Sequence, residues 1–162
     1  MSINKYKSHL YVIPEDDAER QIADGFVLHD RVDTRQVQVV GPPGGWPKVL
    51  DTFRNEYLLQ LRQNVHTHVV MLIDYDTKGN ARQEVFIDAI PEEFRRRVFV
   101  VGPSQAPEHL RRATKQSYEQ IGMSLANDCD GNQTAIWGHE QLKHNDDQRK
   151  LLLEIVKPFL FK

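Results

Sequence analysis

Apolar residues along this chain fall into two kinds of run. Short, nearly unbroken stretches at residues 9–13 (HLYVI), 37–40 (VQVV), 69–73 (VVMLI) and 97–101 (RVFVV) read as strands. The third is apolar at almost every position, which is how a strand buried on both faces of a parallel sheet reads. Between these runs the apolar positions recur at helical spacing. Ala18, Ile22, Ala23 and Phe26 form one stripe, and Val49, Leu50, Phe53, Tyr57, Leu58 and Leu61 form another within residues 48–63. Residues 81–90 read as a third helix, stopped by Pro91, and Pro107 starts a longer one running to about residue 127. The closing segment, residues 134–161, reads as one or two helices packed through Trp137, Leu142, Leu151, Leu152, Ile155 and Phe159. Strands alternating with helices argue for right-handed crossovers. The expected fold is α/β: a mainly parallel four-stranded sheet with strand 69–73 in its interior, helices on both faces and extra C-terminal helices on one side.

Punctuation sharpens this outline. Pro14 ends the first strand because it cannot donate to a ladder. The acidic start of residues 15–19 suits a helix N-terminus, and Gly25 weakens that helix near its end. GPPGGWPK, residues 41–48, is a loop by composition, with Pro47 as the first residue of the next helix. Gly44 and Gly45 there would let backbone approach a ligand closely, and Trp46 would pack or stack.

With 162 residues, 40% hydrophobic and 27% charged, the chain suits a single domain with a real core. That domain divides into a core at about residues 8–105 and a helical extension at about 106–162. A net charge of −2 and a pI near 6.4 give no global basic field, so contact with nucleic acid would need a local patch. Cys129 is the single cysteine, which excludes an internal disulfide; it reads as an inert buried thiol. No apolar run reaches the roughly 18 residues of a membrane helix, and residues 1–9 lack the apolar core of a signal peptide, so a cytoplasmic setting without membrane contact is expected.

The candidate chemistry gathers where the third strand ends. Asp74 and Asp76 follow its apolar run, and Gly79 closes the stretch. Ligands bind at the carboxyl edge of open α/β sheets, and two carboxylates two residues apart can converge on a hard cation. Simple capping of a turn is the alternative. Glu15, Asp16, Asp17 and Glu19 occupy the equivalent strand-to-helix turn after the first strand; for Asp17 and Glu19 helix capping is the favoured reading. Two tempting motifs fail. A phosphate loop needs G-x-x-x-x-G-K-[ST], and here Lys48 follows Pro47 and precedes Val49. A zinc HExxH needs histidines four apart, whereas His139 and His144 are five apart, about 140° round a helix. His139, Glu140, His144 and Asn145 are left as a candidate polar cluster for positioning substrate. His66 and His68 read as structural.

A strand ending near Glu15, a β-α-β-α unit, and then a buried strand ending D-x-D-x-x-G at Asp74, Asp76 and Gly79 resembles the TOPRIM domain of topoisomerases, DnaG-type primases and nucleases of the OLD and recombination-repair groups. The resemblance covers residues 8–105 and implies a Rossmann-like fold. It also implies that Glu15 is the general acid or base, and that Asp74 and Asp76, with Asp16, bind Mg2+ or Mn2+. The family has glycine directly after the glutamate, where this chain has Asp16. That departure leaves open whether Glu15, Asp16 or Asp17 faces the site. The implied activity is metal-dependent phosphodiester hydrolysis or phosphoryl transfer on DNA or RNA. Small proteins of this kind occur in mobile-element and phage-defence settings, sometimes with an ATPase partner. Lys78, Arg111, Arg112 and Lys143 are the candidate contacts to the nucleic-acid backbone, with His139 and His144. A HAD-type phosphatase also uses D-x-D, but requires threonine or valine where Lys78 stands and carries the motif on its first strand. The remaining alternative is a TOPRIM-like module that has lost catalysis and binds or regulates.

Overall fold

The computed structural model describes residues 3–76 and 80–162. Four strands form one parallel sheet: β1 (His9–Pro14), β2 (Val37–Val39), β3 (Thr67–Leu72) and β4 (Val98–Val101), in the order β2-β1-β3-β4. β1 and β3 are the interior pair, in register from His9 opposite Thr67 to Pro14 opposite Leu72. The unbroken apolar run of β3 has its explanation here. Val70 and Leu72 face one core while Val69, Met71 and Ile73 face the other, so neither side of the strand meets water.

The helices divide between those two cores. On one face lie α1 (Asp17–Val27), α5 (Pro107–Thr114) and α6 (Tyr118–Gly131), joined by Trp137, Leu142, Val156 and Leu160 of the C-terminal segment. The other face carries α2 (Trp46–Thr52) and α3 (Leu58–Gln63), linked by a π-helical turn at Phe53–Tyr57, and α4 (Asn80–Ala89). This is the α/β arrangement expected from the pattern, Rossmann-like as the resemblance implies, and the sheet is wholly parallel. No helix among the described residues is long and apolar enough to cross a membrane.

Several details differ from the pattern reading. The stretch after Pro107 is two helices rather than one, because Lys115 takes a left-handed conformation (φ 55°) and Ser117 then caps a fresh helix by accepting from Gln120 N–H at 3.1 Å. Helical periodicity runs through both pieces, so the break was invisible to it. The helix after the glycine loop starts at Trp46, which places Pro47 second rather than first. Gly25 is more than a weak point. A Cβ there would overlap the backbone of Glu119, and one at Gly122 would overlap the carbonyl of Ile22. Hydrogen in place of a side chain at both positions lets α1 and α6 cross backbone to backbone.

The outer edge of β4 is sealed by α7 (Asp146–Ile155) and the turn before it, with α8 (Lys157–Leu160) beyond. Gln148 Oε1 accepts from Val100 N–H at 2.9 Å, and Asn145 Oδ1 accepts from Gly102 N–H at 3.1 Å. Asn145 Nδ2 returns a bond to Gly102 O at 3.0 Å. Side-chain amides thus occupy part of the edge where a fifth strand would pair.

The helix crossing is directly testable. Alanine is the better helix former by about 1 kcal/mol, so on propensity alone Gly122→Ala would stabilise the protein. Overlap with α1 reverses the sign, and Gly122→Ala and Gly25→Ala are each expected to cost about 1–3 kcal/mol in urea denaturation. An unchanged or raised midpoint would mean that the helices do not meet there.

Candidate functional site

Connections leave β1 and β3 in opposite directions. β1 leads through α1 to β2 on one side, and β3 leads through α4 to β4 on the other. The carboxyl ends of these two strands border the crevice in which open α/β sheets bind ligands. Glu15 comes directly after β1, and Asp74 lies just past β3.

Backbone pairing continues beyond the strands and fixes both residues. Glu15 N–H donates to Leu72 O at 2.9 Å, and Tyr75 N–H donates to Pro103 O at 3.0 Å. The Glu15 side chain then crosses the crevice, where its Oε1 accepts from Asp74 N–H at 2.9 Å. Its carbonyl accepts from Gly44 N–H at 3.1 Å and Gly45 N–H at 3.3 Å. Those glycines have φ of 91° and 102°, backbone that a side chain would strain, so the GPPGG sequence serves to fold its loop onto Glu15. Beyond Asp74 the chain turns sharply. Asp76 sits in the left-handed region (φ 45°) and its N–H donates to Asp74 Oδ1 at 2.6 Å.

Among the three acids left open by the sequence, Glu15 is the one that reaches the end of β3. Asp16 is exposed at the start of α1, and Asp17 points outward, paired with Arg20 at 2.6 Å. Glu19, read from the sequence as a cap, does two things. Its Oε2 accepts from Asp16 N–H at 3.2 Å, and the residue is buried at 2% exposure, close enough to Asp74 for that charge to act on it.

Burial sets the electrostatics. It pushes the Glu19 carboxyl up to about 7, and the charges of Glu15, Asp74 and Asp16 push the same way. Glu15 is raised by burial first; the Asp74 N–H opposes this, and the Asp74 and Asp16 charges add to it. Asp74 is raised by burial too, with the Asp76 N–H opposing and Asp76 and Glu108 adding. Arg82 on α4 is the cation whose charge lowers both Glu15 and Asp74, and its Nη1 donates to Asp74 O at 2.9 Å. Tyr118, at the start of α6, lies within electrostatic reach of Glu19, Glu108, Arg111 and Arg112.

The other candidates separate into near and far. Arg111 and Arg112 lie exposed on α5, Arg111 over the Tyr118 ring at 5.2 Å. His144 Nε2 donates to Gly102 O at 2.8 Å while its ring meets Tyr75 edge-on at 5.0 Å, which supports the aspartate segment through Tyr75. Burial lowers the His144 pKa, consistent with a neutral ring. Lys143 is paired with Glu140 at 2.8 Å on the surface, and His139 Nδ1 accepts from Gln141 N–H. Neither is joined to Glu15 or Asp74 by a described contact. Lys78 and Gly79 lie outside the described residues. His68 is at the amino end of β3, with Nδ1 against the carbonyls of His66 and His9, remote from the carboxyl edge.

Sequence reasoning named Glu19 but favoured capping alone for it, and it missed Arg82, Glu108 and Tyr118. Arg82 carried a usable signal, since a cation in the first turn of a helix opposes the macrodipole and calls for a reason.

In kind and charge the donors suit a hard divalent cation, because Glu15, Glu19 and Asp74 are all carboxylates whose ionisation is opposed by burial. In position they do not form a closed site: no three His, Cys, Asp or Glu side chains among the described residues gather closely enough to hold a metal ion.

Glu19 offers a pH test. An acid with a higher pKa folded than unfolded keeps its proton in the native state after the unfolded chain has released it. Stability from this group is therefore full below about 4.5 and is lost as the pH rises through about 7. Glu19→Gln keeps the acceptor for Asp16 N–H but cannot ionise. In metal-free buffer it is expected to be more stable than wild type at pH 8, by about 2–3 kcal/mol, with the gap closing towards pH 4.5. Thermal unfolding across that range decides it; parallel curves would show that Glu19 ionises freely in the fold.

Comparison of the chain with models of known families, with curated proteins and with solved structures returned no match.

Proposed function

We propose that this edge is a divalent-cation-dependent phosphoryl-transfer site of TOPRIM type that acts on DNA or RNA, with nuclease activity as its leading form. One observation carries the reading: the Glu15 carboxylate meets the end of β3 at Asp74, across the crevice where the strand connections diverge. An acid after the first strand and an aspartate pair after the interior strand are the two halves of the resemblance. In the fold they are neighbours.

Asp74 and Asp76 are the residues that would hold Mg2+ or Mn2+; among the described residues no third acid gathers closely enough with them to close the set. When bound, such a cation neutralises charge on phosphoryl oxygens and lowers the pKa of an attacking water. The chain's own contribution is more specific. Glu15 is partly withdrawn from water and has a raised pKa, which brings its proton affinity nearer to the working range of an acid or base at neutral pH. The Asp74 N–H bond orients it, and the glycine loop fixes its backbone. Asp74 is oriented in turn by Asp76 N–H.

A second reading is favoured by the same bonds. Glu15 Oε1 and Asp74 Oδ1 each already accept a backbone N–H, so the acids also serve as structural ties. On that reading the chain is a binding or regulatory module without turnover.

Calorimetric titration with Mn2+ and cleavage of plasmid DNA and of RNA in Mg2+ or Mn2+ separate the two. Under the enzymatic reading wild type binds the ion and cleaves. Asp74→Ala and Asp76→Asn then lose both properties, while Glu15→Gln retains most ion affinity and loses turnover by about 10²-fold or more. Ion binding without cleavage of either substrate, alone or with a partner ATPase, would establish the regulatory module. Ion binding that survives Asp74→Ala and Asp76→Asn would remove the assignment of the aspartates.

A further inference from the structure

An edge lined by carboxylates repels a phosphodiester strand, so a site of the kind proposed above needs fixed positive charge as well as a cation. Among the described residues Arg82 is the one whose charge acts on both Glu15 and Asp74. Two separate parts of the fold hold it there. Its Nη1 donates to Asp74 O at 2.9 Å, and its guanidinium lies over the Trp46 ring with Cζ 4.9 Å from the centroid.

Trp46 opens α2 directly after the loop whose Gly44 and Gly45 bind the Glu15 carbonyl. Its ring also meets Phe86 of α4 at 6.1 Å, anchoring the indole in the core on that face. A guanidinium stacked on an aromatic ring keeps its plane and loses little freedom when it binds an oxyanion. The position is unfavourable for α4 itself, since a cation in the first turn opposes the helix dipole. Helix stability does not account for this residue.

We propose that Arg82 is the anion-binding residue of this edge, and that it receives a phosphodiester group of the nucleic-acid strand beside Glu15 and Asp74. Trp46 is its positioning residue. The proposal rests on the phosphoryl-transfer reading and adds to it the group that admits the substrate. Planar, forked donors suit phosphate oxygens better than a point charge does. Contact with the backbone carries no base information, so Arg82 contributes affinity without sequence preference.

The test is fluorescence anisotropy with a short fluorescein-labelled single-stranded DNA and an RNA of the same sequence. Ca2+ replaces Mg2+ so that the strand is bound without turnover, and the titration is repeated over a range of salt. Arg82→Gln is expected to raise Kd about tenfold or more and to lower the slope of log K against log salt by about one. Mn2+ affinity should hold or rise, because a positive charge beside Glu15 and Asp74 has been removed, and the thermal midpoint should change far less than Kd. Arg82→Lys should keep the slope and restore binding only in part. Trp46→Leu should weaken binding with the slope retained, and Trp46→Phe should recover it. Wild-type Kd and slope in Arg82→Gln would overturn the inference and leave the phosphoryl-transfer reading standing. Loss of binding in step with loss of thermal stability and Mn2+ affinity, at unchanged slope, would make Arg82 a structural anchor for Asp74 and overturn it as well. Wild-type protein that binds neither strand would overturn the inference and the functional reading together.

Discussion

Everything at the candidate site depends on the register of β1 against β3. Both strands are apolar on both faces, so hydrophobic patterning alone leaves a slipped pairing nearly as well buried as the native one. Polar ties at the two ends remove that ambiguity. At the amino end His9 Nε2 bonds Thr67 Oγ1 at 3.0 Å, between residues that are also partners in the ladder. At the carboxyl end Glu15 donates its N–H to Leu72 O and accepts from Asp74 N–H on its side chain. A shift by one residue breaks both ties and turns every side chain of one strand to the opposite core. The contact that defines the site is thus also one that defines the sheet.

The two ends of this pair are treated differently. At the amino end, charge and polarity are fully provided for: Arg97 donates to the carbonyls of Leu61, Asn64 and Thr67, and His68 lies against two carbonyls. At the carboxyl end the local rules are broken in several places at once. Glu19 is a buried acid among acids, Asp76 sits in left-handed backbone, and Arg82 opposes the dipole of its own helix. Such violations lower stability, and chains retain them where function requires them. Their concentration at one edge, the edge where connections diverge, is a stronger pointer than any single acid.

How much of this was legible in the sequence follows from which signals are local. β3 was legible because burial on both faces leaves a continuous apolar run, and the alternation of strands and helices then gave a parallel sheet. Glu15, Asp74 and Asp76 were legible as candidates because strand ends are local features. Glu19 was legible as a cap, which it is, but not as a buried acid, since an acid at the third position of a helix looks the same whether it only caps or is also enclosed beside other acids. Arg82 and Trp46 are far apart in sequence and meet only once α2 and α4 pack on the same face. The break at Lys115 was hidden because its neighbours keep helical periodicity, and the role of Gly25 because a close helix crossing needs the partner, Gly122, to be seen. Single-residue conformations and tertiary encounters lie beyond what periodicity encodes.

The C-terminal helices also bear on the site, although they contribute none of its acids. Asn145 brackets the Gly102 backbone with a donor and an acceptor, and His144 adds a second bond to the same carbonyl. The next residue, Pro103, offers its carbonyl to Tyr75 N–H, and Ser104 N–H donates to Gln141 O. Tyr75 is the residue between the two aspartates and is itself wedged against His144. A short chain of contacts therefore runs from the turn before α7, through the end of β4, to the segment carrying Asp74 and Asp76. Asn145 is nearly inaccessible to water, and leaving its partners unpaired in that interior would be costly. The extension thus braces the segment that carries the aspartates, as the glycine loop braces Glu15 through its carbonyl. The two braces come from segments that lie far apart in the chain.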